Sequence, residues 1–229
     1  MKRASVGLIG MMLLIIFPAS SVFAQEGEFG EDSKLNTNLA FTITAPLNPT
    51  ARFVNVGGGF VAGAGYNMTK RNAFIGEFMW NRLGASDSAL APIRDALGTH
   101  DVNGHGNIIA VTGNYRFELR GKTTGVYFIG GGGWYHRTAN VSTHVATGSS
   151  ITCTPTWEWW GFQCTSGTVM SDQTVASSTA DAMGVNAGIG LTFKVAEPRY
   201  RLYLEARYHY APTKNVKTEI IPVTIGVRF

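Results

Sequence analysis

The sequence predicts an all-β fold: one eight-stranded antiparallel β-barrel of the up-and-down, membrane-spanning kind, preceded by a cleaved signal peptide. Three observations carry this. The 229-residue chain opens with a short export signal. Beyond it, apolar residues recur with a period of two. The two faces that this period creates are unlike: one is oily, the other holds glycines and a few charges of balanced sign. Composition agrees. Charged residues are 15%, against a usual share of about 25%, and 28 residues are Gly, about one in eight against a usual ~7%. With 45% hydrophobic residues the chain is not disordered. It has no basic run that would track phosphates, so nucleic acid is not expected as a partner.

The elements are justified in chain order. Lys2 and Arg3 precede an apolar stretch from Val6 to Phe17, and Val22-Phe23-Ala24 offers a small residue at the cleavage position before Gln25. The stretch is too short to cross about 30 Å of hydrocarbon as a helix, so residues 1–24 read as a signal peptide. Its removal takes away two of the formal positive charges, so basicity carries no functional message. Residues 25–35 are a short acidic periplasmic tail, and 36–229 form the barrel.

The first strand, Leu39 to Ala45, sets Leu39, Phe41 and Ile43 against Thr42 and Thr44. Val54 to Asn67 sets Val54, Val56, Phe60, Ala62 and Tyr66 against Asn55, Gly57, Gly63 and Asn67. Ala73 to Leu83 sets Phe74, Phe78 and Trp80 against Glu77 and Asn81. Ile108 to Leu119 sets Ile109, Val111, Tyr115, Phe117 and Leu119 against Thr112, Asn114, Arg116 and Glu118. Gly125 to Arg137 is a strand whose phase is erased by Gly130 to Gly133. Ala182 to Val195, Arg201 to Ala211 and Glu219 to Phe229 complete the eight. The last sets Ile221, Val223, Ile225, Val227 and Phe229 against Pro222, Thr224, Gly226 and Arg228. Side chains alternate across a strand, so each segment presents one apolar and one polar or small face.

The links Met68–Asn72, Arg120–Thr124 and Ala196–Tyr200 are short, whereas Gly84–His105 and Ala139–Thr179 are long. With an even strand count and Phe229 at the periplasmic side, all three short links fall on that side, as membrane barrels require. Pro46–Arg52 and a short link near Thr213–Val216 then lie outside. In Gly84–His105 a short helix is expected, with Pro92 at its first position, Ile93 and Leu97 on one face, and Gly98 at its end. A soluble barrel would hide its apolar face and wet the other. Here the polar face is too poor in charge to be a wetted exterior. The apolar face is nearly free of charge, as expected where a mid-bilayer Arg or Lys costs roughly 2–4 kcal/mol. Tyr66, Trp80, Tyr115, Phe117, Tyr210 and Phe229 sit near strand ends, where aromatic girdles form.

Together the signal peptide, the Gly-rich alternating hairpins, the segments Gly63-Ala-Gly-Tyr66, Ile75-Gly-Glu-Phe78 and Leu204-Glu-Ala-Arg207, and the ending Ile-Gly-Val-Arg-Phe resemble the OmpA-type eight-stranded outer-membrane β-barrels over about residues 36–229. The resemblance implies an outer-membrane location, contact with outer-membrane lipids and lipopolysaccharide, and a terminal strand read by the barrel-assembly machinery. Val223, Ile225, Val227 and Phe229 match that assembly signal. The family's separate peptidoglycan-binding domain is not expected here.

Glu77, Arg116, Glu118, Glu205, Arg207 and His209 are expected to face the lumen. Such a set is either an ion-pair gate on a thin water path or a polar core that fills the barrel, since buried charges must be paired in both cases. Some eight-stranded outer-membrane barrels are lipid A deacylases with a His-x-Ser on a late strand. His209 resembles that histidine, but Ala211 stands at the serine position, so no catalytic residue is assigned. Cys153 and Cys164 read as a disulfide closing a short loop in an oxidising compartment. A metal site there would need more ligands than Glu158 supplies, and His100 and His105 read as ordinary loop residues. No cofactor or metal is expected. Trp157, Trp159, Trp160 and Phe162 inside the loop either bind an extracellular glycan or protein ligand or rest on the rim and membrane interface. The expected role is structural and surface-interacting, with at most a very narrow pore. The alternatives are small-solute binding or transport and, less favoured, lipid A hydrolysis. The detergent-folded protein is expected to migrate differently on a gel before and after boiling. Identical migration would sink the barrel reading.

Overall fold

A computed structural model describes residues 34–121, 123–155, 162–195, 200–212 and 217–229. The expected signal peptide and nearly all of the expected tail lie outside these residues. Eight strands close in meander order: β1 (Leu35–Pro46), β2 (Val54–Asn67), β3 (Asn72–Ala85), β4 (Val102–Arg120), β5 (Thr124–Pro155), β6 (Phe162–Lys194), β7 (Arg201–Ala211) and β8 (Thr218–Arg228). Every neighbouring pair is antiparallel, and β1 pairs with β8 to close the ring. The last residue seals the seam, with Phe229 N donating to Thr37 O at 2.9 Å. Closure leaves no strand edge within the hydrocarbon, where an unpaired backbone group costs several kcal/mol. Among the described residues no helix is long and apolar enough to cross a membrane. The crossing is made by strands.

The period-two pattern takes the inverted orientation. Phe41 is 76% exposed and Met183 70%, whereas Arg116 and Glu118 are each 1% exposed. Leu39, Ile43, Phe74, Val111, Ile189, Leu204, Val223 and Ile225 also point outward. The phase of β5, hidden in sequence by four glycines, is fixed by its partners: Val126, Phe128 and Trp134 face out, and Tyr127, Ile129 and Tyr135 face in. Aromatic pairs lie on the outward face towards both ends. Phe60 packs on Trp80 towards the outer rim, and Phe74 on Tyr115 and Tyr200 on Phe229 at the inner one.

β1 begins at Leu35 rather than Leu39 and β4 at Val102 rather than Ile108, so His105, expected in a loop, lies within a strand. A bulge between Val54 and Gly57 turns Val54 from the expected outward row towards the core. Two larger expectations are also corrected. The segment Ala139–Thr179 is not a loop. It continues β5 and β6, in register from Thr124↔Phe193 to Pro155↔Phe162 with two bulges. The strands have 32 and 33 residues, about three times the roughly 9–11 that span a bilayer. β4 flanks β5 as far as Thr143, and the last dozen or so residues of β5 pair with β6 alone, a two-stranded ribbon of roughly 40 Å at about 3.4 Å per residue. The stretch is rich in Ser and Thr and lacks apolar alternation, so periodicity alone missed it.

The second correction concerns the helix α1, which spans Asp87–Leu97 and places Pro92 in its interior. Ser86 starts it. The Ser86 hydroxyl accepts from Ala89 N at 3.3 Å and donates to Arg52 O at 2.6 Å, satisfying one of the first-turn amides. Gly98 ends the helix at φ 63°, a left-handed conformation that glycine adopts freely. Replacing Ile189, mid-strand and outward, with Arg is expected to cost roughly 2–4 kcal/mol. Denaturant unfolding in lipid vesicles would read this. An unchanged midpoint would contradict the lipid-facing assignment.

Candidate functional site: the barrel lumen and its outer mouth

The inward face of an eight-stranded barrel is just wide enough for side chains to fill, and here charged groups fill it. Arg207 on β7 reaches across the ring to Glu77 on β3, with Nη1 2.6 Å from Oε2. In an eight-strand meander these strands are diametrically opposite. The same guanidinium holds Glu205, with Nη2 and Nε at 2.6 and 2.8 Å from Oε1. Neutral donors complete both carboxylates. Asn38 Nδ2 and Asn114 Nδ2 donate to Glu77 at 2.9 and 2.7 Å, and Tyr127 OH donates to Glu205 at 2.8 Å.

A second network lies nearer the periplasmic end. Glu118 on β4 faces Arg228 on β8, again across the ring, at 3.4 Å, with Arg120 at 3.5 Å and Arg116 at 3.7 Å. Thr192 donates to it at 2.9 Å. The Arg228 guanidinium lies over the rings of Tyr127 and Tyr203 at 4.9 and 5.2 Å, a cation–π arrangement suited to a desolvated site. Arg116 also donates to Asn67 Oδ1 at 3.4 Å. Glycines make room for these groups. A Cβ on Gly190 would overlap the Tyr127 ring, and one on Gly63 would overlap Asn38 and Glu77.

His209 is buried above the first network, its Nδ1 2.8 Å from Tyr135 OH and its ring edge-on to the tyrosine. Thus Glu77, Glu205 and Arg207 come together in one network, Glu118 and Arg116 in another, and His209 stands apart from both. Sequence reasoning left out Asn38, Tyr127, Tyr135, Thr192 and Arg228 as network members. Arg228 was on the polar row of the last strand, but its mate on β4 is far away in sequence. Asn38 fell before the expected start of β1, and Tyr127 lay in the strand without a readable phase.

Towards the exterior the lumen changes character. A cavity of about 220 Å³ opens among Val54, Leu83, Leu90, Ile108, Arg137 and Ala139. Its roof is the link between β1 and β2 together with α1. Of the surface-loop residues, Trp157, Trp159 and Trp160 lie outside the described residues. Phe162 begins β6 opposite Pro155, and Cys153 stands directly opposite Cys164 in the ribbon.

The lipid-facing exterior, sealed ring and charged interior coincide with a match over residues 10–229 to the model of the outer membrane protein beta-barrel domain. The chain belongs to that family. It therefore resides in the outer membrane. Solved structures to which it is similar include Ail, the attachment invasion locus protein of Yersinia pestis, at 17% identity and TM-score 0.48, covering 85% of this chain and 97% of Ail. Neisserial surface protein A is similar at 12% identity and TM-score 0.48, with 86% and 96% covered. The outer membrane protein OprG of Pseudomonas aeruginosa is similar at 11% identity and TM-score 0.42, with 85% and 95% covered. No curated protein matches the sequence.

Arg207→Ala leaves Glu77 and Glu205 buried without their cation. It is expected to destabilise the barrel by about 3–5 kcal/mol, the usual cost of breaking a buried pair from one side. The variant combining Arg207→Met, Glu77→Gln and Glu205→Gln is expected to recover much of this. Denaturant unfolding of Arg207→Ala, the three component single variants and the triple variant would measure it, and additive losses would show that the charges do not act as one unit.

Proposed function

We propose that this outer-membrane barrel is a closed anchor that presents the β5–β6 ribbon at the cell exterior, rather than a conducting pore. The observation that carries the reading is the diametric bridge from Arg207 to Glu77. A water file along the axis would have to pass a guanidinium already held by two carboxylates and flanked by Asn38, Asn114 and Tyr127. Opening such a path means stretching charge-assisted hydrogen bonds of 2.6 Å in a low-dielectric interior, where they are strongest. The polar core is thus a plug that stiffens the wall.

On that wall the ribbon does the interacting. Its two strands hydrogen-bond to each other along their length and end near the facing pair Cys153 and Cys164. A disulfide between them pins the tip, and the nearby Trp157, Trp159, Trp160 and Phe162 supply flat apolar surface for an extracellular glycan or protein ligand. Lipopolysaccharide surrounds the outer girdle. Val223, Ile225, Val227 and Phe229 are the row read by the assembly machinery during insertion. Acyl hydrolysis is not part of the reading, because His209 is enclosed in the lumen on Tyr135 and Ala211 follows where a nucleophile would be needed.

In planar bilayers the wild type is expected to insert without stepwise ohmic conductance. Reproducible open steps would overturn the plug. Replacing residues 142–177 by a short turn is expected to leave the barrel heat-modifiable on gels while abolishing attachment of expressing cells to glycan- or protein-coated surfaces. Attachment that survives the deletion would show that the ribbon is not the interacting element.

A further inference from the structure

We propose that the apolar cavity at the outer mouth binds a small amphipathic anion, a medium-chain aliphatic carboxylate, with its head on Arg137 and its hydrocarbon against Leu83, Leu90 and Ile108. This site is independent of the ribbon and of the plug.

Three observations carry it. First, the space is real and apolar. At about 220 Å³ it exceeds the roughly 150 Å³ of an apolar cavity that takes up benzene. Leu83, Leu90 and Ile108 are almost fully buried around it. Second, the cavity is built, not a gap under a loose loop. Thr50 Oγ1 donates to Lys217 O and accepts from Glu219 N, both at 2.8 Å. Ser86 and Ser88 hydroxyls donate to Arg52 O at 2.6 and 2.7 Å, and Ser86 N donates to Phe53 O at 2.9 Å. The link between β1 and β2 is therefore tied to β8 on one side and to α1 on the other. A site ordered before its ligand arrives avoids part of the ordering cost of binding.

Third, the wall carries a cation with no counter-charge. Arg137 lies on the inward row of β5, half-buried, opposite Ile108 of β4 and Ala180 of β6. Among the described residues no carboxylate pairs with it and no acceptor takes its hydrogen bonds. The contrast within the same lumen is sharp: Arg207 and Arg228 each hold a buried glutamate. The neighbouring carboxylate Asp181 instead pairs with His136, on the outward row. A guanidinium set over hydrocarbon walls offers a planar fork to a carboxylate and oil to its tail.

The test uses the full chain in phosphatidylcholine nanodiscs, titrated with carboxyl-labelled octanoate followed by NMR, with empty discs as the blank. Octanoate is expected to bind saturably at one site, and octanol at least tenfold more weakly. Arg137→Gln is expected to weaken octanoate roughly 10–100-fold, as for loss of a hydrogen bond to a charged group, and to leave octanol unchanged. Ala139→Phe, which fills the cavity, is expected to weaken both. The proposal is overturned if octanoate shows no saturation beyond empty discs, if octanol binds as tightly as octanoate to the wild type, or if Arg137→Gln leaves octanoate affinity unaltered. The first two outcomes are read on the wild type and do not depend on any variant folding.

Discussion

Hydrocarbon offers no hydrogen-bond partner, so every backbone N–H and C=O within it must be satisfied by the chain itself. For strands this forces closure, and closure forces the rest. Once β1 pairs with β8, alternate side chains have only two places to go, the acyl tails or a narrow lumen. Phe41, Ile43, Val111, Ile189 and Ile225 take the first, and Glu77, Arg116, Glu118, Glu205 and Arg207 the second. The eight-strand count then sets the lumen diameter, so a long side chain on one wall can meet its partner on the opposite wall.

That geometry makes the charges mutually dependent. Arg207 and Arg228 each span the ring to a glutamate that also accepts from Asn or Thr donors. Buried ion pairs are weak evidence of net stability, because desolvation offsets much of the attraction. Their effect here is one of specification. A register slip by one residue in β7 would send Glu205 and Arg207 into lipid and Leu204 and Ala206 into the lumen, at a cost of several kcal/mol per charge. The polar core therefore reads as a lock on register as well as a filling.

Beyond the bilayer the same ladder meets different rules. Water can satisfy strand edges, so beyond Thr143, where its pairing with β4 ends, β5 continues with β6 alone as a two-stranded ribbon. Its outward part is rich in Ser, Thr and other polar residues instead of oily alternation. The opposite flank of the mouth is handled differently: β3 and β4 are joined by α1, whose cap ties it back to the link after β1. One side of the rim reaches out while the other folds over the lumen and encloses the Arg137 cavity.

The sequence by itself determined the strand count, the extent of β2 and β7 and, outside β5 and Val54, the membership of the inward and outward rows, because a period of two is local and survives without knowledge of neighbours. It also determined that the most deeply buried charges had to be paired. It did not determine which pairs form. Glu77 and Arg207 are 130 residues apart, and only ring closure and shear bring them to 2.6 Å. The phase of β5 was invisible because Gly130 to Gly133 carry no side chains to report a face, and was decided by pairing with β4 and β6. The ribbon was missed because polar residues outside the membrane have no reason to alternate, and the start of α1 because a serine bonded to Arg52 across the rim outweighed the local preference of Pro92. Tertiary structure decided each feature whose cause lies on another strand.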